Sequence, residues 1–150
     1  MTKTYTSLKT ILIDKITAIQ GEGGVALFAG VYGVDETAPA GYPCAFVIER
    51  SGSGRIMDTH RNEREWQFSL VIHQEIGKKT AEEAYVVLLD AVDRVIAVLD
   101  QDPMLNDSNG FEQCKMVRVV PIQFEYASRD TTVHRALLIV SVVDLVNRYA

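Results

Sequence analysis

At 150 residues, with 47% hydrophobic and 23% charged content, the chain is a single domain (1–150), long enough to close a core without disulfides or metals. Its 20 Asp and Glu against 15 Lys and Arg give a formal net charge of -5, which excludes a surface that grips nucleic acid tightly as a whole. The opening MTKTYTSLKTILIDK is polar and charged throughout, and no apolar run reaches membrane-spanning length. A signal peptide and a transmembrane segment are therefore not expected, and the protein is expected to be made in the cytoplasm.

Leu8, Ile11, Leu12, Ile16 and Ile19 recur at spacings of three and four, which predicts a first amphipathic helix, capped by Thr6 or Ser7 and ended by Gly21. Gly23-Gly24 makes a turn, and VALFAGVY, Val25 to Tyr32, is apolar and β-branched enough for a strand. The segment GVDETAPAG, Gly33 to Gly41, breaks regular structure and reads as a surface loop.

The stretch from Gly41 to Glu75 then reads as two strands joined by a long polar connection. Pro43 to Glu49 fits a buried strand, and Arg64 to Glu75 alternates Trp66, Phe68, Leu70 and Ile72 on one face against Glu65, Gln67, Ser69, Val71 and His73 on the other. The connection, about Arg50 to Glu63, far exceeds the two to five residues usual in a hairpin. With Ser51-Gly52-Ser53-Gly54 as a flexible entry and charges of both signs, it is expected to be an arm projecting from the sheet. Arg50, Arg55, Arg61 and Arg64 are the candidate interface residues, because planar guanidinium groups pair well with carboxylates on a partner.

Thr80-Ala81-Glu82-Glu83 reads as a capping box opening a second helix to Leu99. Ala81, Ala84, Tyr85, Leu88, Ala91, Val92, Val95, Ile96 and Leu99 give it a wide apolar stripe, so one side packs on the sheet. Asp102-Pro103 stops that helix, and Pro103 to Gln113 is a loop. Cys114 to Tyr126 and His134 to Val146 are predicted as a last pair of strands. Pro121 removes a ladder donor, which places the first of the two at an edge or at a bulge. The resulting order α-β-β-β-α-β-β predicts an α+β fold, a mostly antiparallel sheet of about five strands with two helices on it.

Residues that chemistry would need are scattered. His60, His73 and His134 fall on a loop and two strands, so no metal site is expected. Ser51 to Gly54 lacks the GK[ST] ending and the helix that a phosphate loop requires. Neither a Gly-x-Ser-x-Gly elbow nor a Cys with a nearby His and acid is present, so no catalytic residue and no cofactor is assigned. Trp66 and Phe68 stand beside Glu65 and Gln67 rather than Lys or Arg, which favours core over a base-stacking platform. Cys44 and Cys114, each among apolar residues, read as buried free thiols.

Gly41-Tyr42-Pro43, a strand, a loop, and then Asp58, Thr59, Asn62, Glu63, Arg64, Trp66, Phe68 and Leu70 in the pattern D-T-x-x-N-E-R-x-W-x-F-x-L lead into an acidic amphipathic helix. In order and spacing, over most of the chain, this resembles the tail terminator proteins of long-tailed bacteriophages. The resemblance implies the same α+β arrangement and a virion structural protein rather than an enzyme. Such a protein forms a homo-oligomeric ring, commonly of six subunits, that caps the tail tube, stops its growth and offers the head-tail joining surface. The implied partners are its own copies, the tail tube protein and a head-tail connector or head-completion protein. DNA passes through the lumen without specific binding, which suits an acidic or neutral wall, and no membrane is involved. The arm with Ser51 to Gly54 does not align with a family motif, so its arginines rest on their own chemistry. Two alternatives remain open: a neck or head-completion protein of similar element order, and a small ferredoxin-like enzyme or ligand-binding domain with a pocket at a subunit interface.

Overall fold

The computed structural model describes residues 4–34, 38–56, 61–107, 109–127 and 132–147. In chain order these form helix α1 (Tyr5–Thr17), a 3₁₀ turn (Glu22–Gly24), strands β1 (Gly30–Tyr32), β2 (Cys44–Ile56) and β3 (Arg61–Glu75), helix α2 (Ala81–Gln101), and strands β4 (Met116–Glu125) and β5 (Val133–Asn147). Among the described residues the strands make one five-stranded sheet in the order β1-β2-β3-β5-β4. β1 runs parallel to β2, and every other neighbouring pair is antiparallel. This is the expected α+β architecture.

Strand alternation decides where the core lies. Trp66, Phe68, Leu70 and Ile72 of β3 stand beside Ala136, Leu138, Val140 and Val142 of β5, with Ala45 and Val47 of β2 and Val117 of β4 on the same face. Leu8, Leu12 and Ile16 of α1 and Leu88, Val92, Val95 and Leu99 of α2 close over them in one buried cluster. Each large side chain taken fully out of water there contributes roughly 1.5–3 kcal/mol. Both helices therefore cover the same face, and the opposite face of the sheet receives neither.

The helix starts illustrate how local chemistry sets boundaries. α1 begins earlier than the sequence suggests: Thr4 is the cap, its Oγ1 accepting from the Ser7 N–H at 3.1 Å while Ser7 Oγ accepts from the Thr4 N–H at 3.0 Å. Ser7 thus fills the third helical position of a reciprocal capping box instead of the cap itself. α1 also stops at Thr17, before Gly21. At α2, Thr80 Oγ1 accepts from the Glu83 N–H at 3.1 Å as expected. The return bond from the Glu83 carboxylate is not among the described hydrogen bonds, so the box is half made.

β1 is much shorter than the predicted Val25–Tyr32 strand. Gly23 and Gly24 hold φ of +73° and +76° in a turn, Gln20 and Ala26 form one isolated bridge, and Phe28 turns inward to 7% exposure. Burying Phe28 outweighs continuing the ladder. Pro121 behaves as expected on both counts, since β4 is an edge strand and its register with β5 shifts between Pro121 and Gln123. Cys44 and Cys114 are free and buried, and burial pushes the Cys44 thiol up to about 11, which leaves it protonated and inert at neutral pH.

Two polar contacts fix the helices in place. His134, fully buried, accepts from the Ala127 N–H on Nδ1 at 2.8 Å, so Nε2 carries the proton that meets the Ala81 carbonyl, also at 2.8 Å. This neutral ring ties the start of α2 to the β4–β5 connection. At the other end Lys15 Nζ lies 2.6 Å from Asp102 Oδ2, joining α1 to the end of α2. Partial burial pushes the Asp102 carboxyl upward, but Lys15 and the Asn106 backbone N–H outweigh it and hold the group below its ordinary value. A carboxyl depressed on folding contributes stability above its unfolded pKa and loses it as pH falls through the folded value. Asp102→Asn should therefore cost roughly 1 kcal/mol or less at pH 7 and narrow its deficit below about pH 4, checked by urea melts of parent and variant across that range.

Candidate assembly surface

The connection read as a mobile charged arm is largely β-ribbon. β2 continues through Ser51-Gly52-Ser53-Gly54 to Ile56, with an irregularity between Arg50 and Ser53, and β3 begins at Arg61. β5 extends alongside, pairing Arg61 with Asn147. A third strand in register accounts for the order: the ladder satisfies the backbone where alternating apolar side chains are lacking. Residues 57–60, including Asp58, Thr59 and His60, lie outside the described residues.

The register separates the four candidate arginines. Arg50 pairs with Gln67, Arg55 with Glu63 and Arg61 with Asn147, all at positions of the face turned away from the helices. Arg64 pairs with Gly54 and Asp144 on the helix-side face, beyond the helices, and is exposed. Arg50 donates weakly to Ser69 Oγ at 3.4 Å and is otherwise exposed. By backbone register alone, three of the four positions fall on one face of the sheet and Arg64 on the other.

Because Arg64 stands opposite Asp144, changing it to Glu would set like charges face to face and weaken the sheet itself. Neutral substitution separates folding from assembly. The combined Arg55→Gln, Arg61→Gln, Arg64→Gln variant should melt within about 1.5 kcal/mol of the parent, at about 0.5 kcal/mol per surface change, and should assemble less well. Circular dichroism melts set beside light scattering check both halves, and unchanged assembly would mark the ribbon arginines as bystanders.

The face opposite the helices is the larger uncovered surface. Its cross-strand rows run Phe46–Val71–Leu137–Gln123, then Ile48–Ser69–Ile139–Val120, then Arg50–Gln67–Ser141–Arg118. Phe46 is buried beneath Tyr32 and His73, whose rings lie 5.5 and 5.0 Å away. Beyond it Val71, Leu137, Ile139 and Ile48 are only half-buried and Val120 is 51% exposed. A hollow of about 170 Å³ opens there, lined by Val71, Gln123, Glu125, Arg135, Ala136 and Leu137. The outer half of β4 is uncovered on both sides, with Ile122 at 57% and Phe124 at 40% exposure along an edge that has no strand beyond it among the described residues. Exposed apolar edges of this kind pair with other chains unless blunted, and Pro121 with its bulge is the blunting device here.

The sequence carried a signal for this face. Ala136 to Val143, ALLIVSVV, does not alternate, and a strand apolar on both sides reads as covered on both sides. Here one of those covers is not part of the chain's described fold. Among the described residues no group of three or more His, Cys, Asp and Glu is placed to hold a metal ion, and no helix is long and apolar enough to cross a membrane. His73 lies on the open face and His134 in the core. No model of a known protein family matches the chain, and no curated protein matches it.

Proposed function

We propose that the protein is a virion structural subunit of the tail-terminator kind: copies assemble into a ring that caps the tail tube, halts its growth and presents the surface that joins tail to head. The observation that carries the reading is the one-sided build. Both helices lie on one face, while the other bears an apolar band and ends in an uncovered apolar edge strand. A subunit left with a half-buried sheet face is completed by neighbours, as in assembled rather than solitary proteins. The motif order from Gly41 to Leu70 supplies the direction toward phage tails, and the net charge of -5 suits a passage that DNA traverses without sticking. Its partners on this reading are other copies, the tail tube protein and a head-tail connector, within a virion formed in the host cytoplasm, and the role needs no cofactor and no catalysis.

Mass photometry and negative-stain imaging of the purified protein, alone and with tail tubes, test it. Closed rings with an open centre, seated on tube ends, are the expected result. Monomers or compact dimers under both conditions would sink the proposal.

A further inference from the structure

The open face is bounded by arginines. Arg135 lies one row beyond Leu137 on β5, and Arg118 on β4 sits opposite Ser141, one row beyond Ile139. Neither guanidinium has a hydrogen-bond or ion-pair partner among the described residues, although Glu125 stands opposite Arg135 in the register, and three acids of that face, Glu125, Glu65 and Glu63, are engaged locally. Glu125 accepts from Gln123 at 2.9 Å, Glu65 from Gln67 at 2.8 Å, and Glu63 lies 3.7 Å from Lys115. The surface thus reads cation, apolar, apolar, cation over six residues of strand, roughly 20 Å.

The outer side of α2 carries the complementary order. Glu82, Glu83, Asp90, Asp93 and Asp100 are exposed there, with Val86 at 60% and Leu89 at 36% exposure among them. Glu83, Val86, Leu89 and Asp93 follow one another at three- and four-residue steps, so acid, apolar, apolar, acid span roughly 15 Å along the helix. Long arginine side chains make up the difference of about 5 Å. Arg94, the cation on this part of α2, is engaged by Asp90 at 2.9 Å.

We propose that α2 of one copy seats its outer face on the open sheet face of the next, placing Val86 and Leu89 over Leu137, Ile139 and Val120 and the acids against Arg118 and Arg135. A helix layer then covers the sheet on its second side, supplied by a second copy of this chain. Two different patches that fit each other make a heterologous contact, which repeats into a ring if its rotation closes and into a filament if it does not. The inference rests on self-assembly from the proposed function but names its contact independently of ring closure.

Cysteine cross-linking tests it. Cys44 and Cys114 are buried, so a short bismaleimide reports on introduced thiols, with the parent as control. A chain carrying both Val86→Cys and Val120→Cys should give a ladder of covalent oligomers, and each single variant should give none. A companion pair tests the charges: Arg118→Asp with Arg135→Asp should raise the concentration needed for assembly roughly tenfold or more, and adding Glu83→Lys with Asp93→Lys to the same chain should restore it, with circular dichroism melts of each variant controlling for the like charge that Arg135→Asp sets opposite Glu125. Ladders formed from open filaments would sustain this contact while overturning the capping role. Closed rings without a ladder would keep the ring and overturn this contact, as would cross-linking by Val86→Cys alone, which means helix-to-helix pairing. A protein monomeric at every concentration would overturn both.

Discussion

Phe68→Ala is expected to lose about 3–5 kcal/mol of stability, enough to leave many domains of this size partly unfolded at physiological temperature. Phe68 is fully buried on β3, the middle strand of the sheet, between Glu49 of β2 and Val140 of β5. Its ring meets Tyr5 of α1 edge-on, with centroids 5.5 Å apart, and such pairs contribute roughly 0.5–1.5 kcal/mol beyond the buried area. Truncation removes that contact and opens a cavity between α1 and the sheet, which neighbouring strands locked by backbone ladders on both sides cannot readily close. Phe68→Leu keeps most of the volume and should cost clearly less. Urea midpoints of the three proteins, read with the slope held common, check the order. A Phe68→Ala loss below about 1 kcal/mol would mean that α1 is not firmly seated on the sheet.

What the chain disclosed about itself follows from how each element is stabilised. β3 was legible because alternation from Trp66 to Ile72 meets a helix layer on one side and solvent or a partner on the other. α2 was legible because Thr80 and the stripe from Ala84 to Leu99 act within one element. Elements held by distant chain were not. The continuation of β2 past Arg50 has no apolar code, since Ser51 to Gly54 offer only backbone, and it exists because β3 and β5 carry the ladder onward. The cap at Thr4 was hidden because Thr4, Thr6 and Ser7 are chemically equivalent candidates, and the reciprocal bond between Thr4 and Ser7 decides among them. The candidate site shows the same division: the four arginines could be named, but their distribution between two faces depends on register.

Tail tubes formed without this protein are expected to grow past their normal length and to remain unjoined to heads. A tube end is an open heterologous interface, identical after each added ring, so nothing in the tube protein itself stops addition. Arrest needs a subunit that fits the terminal ring on one side and offers a non-repeating surface on the other. On the proposed reading this chain is that subunit. Its own ring consumes the patches that would otherwise propagate, and its remaining surface presents different chemistry to the next component. The effect is large because it is a change of state and not of affinity: each uncapped end keeps growing while free tube protein remains. Electron micrographs of a lysate lacking the protein, with tail lengths measured against the parent, give the direct test. Purified tube protein polymerised with and without added rings gives a second test in which length alone is read, so a joining defect cannot be mistaken for a length defect. Tails of normal length joined to heads in the first, or unchanged tube lengths in the second, would refute the capping role. Overlong tubes that still joined heads would confine the protein to length control, and normal tubes with free heads would move it to the neck.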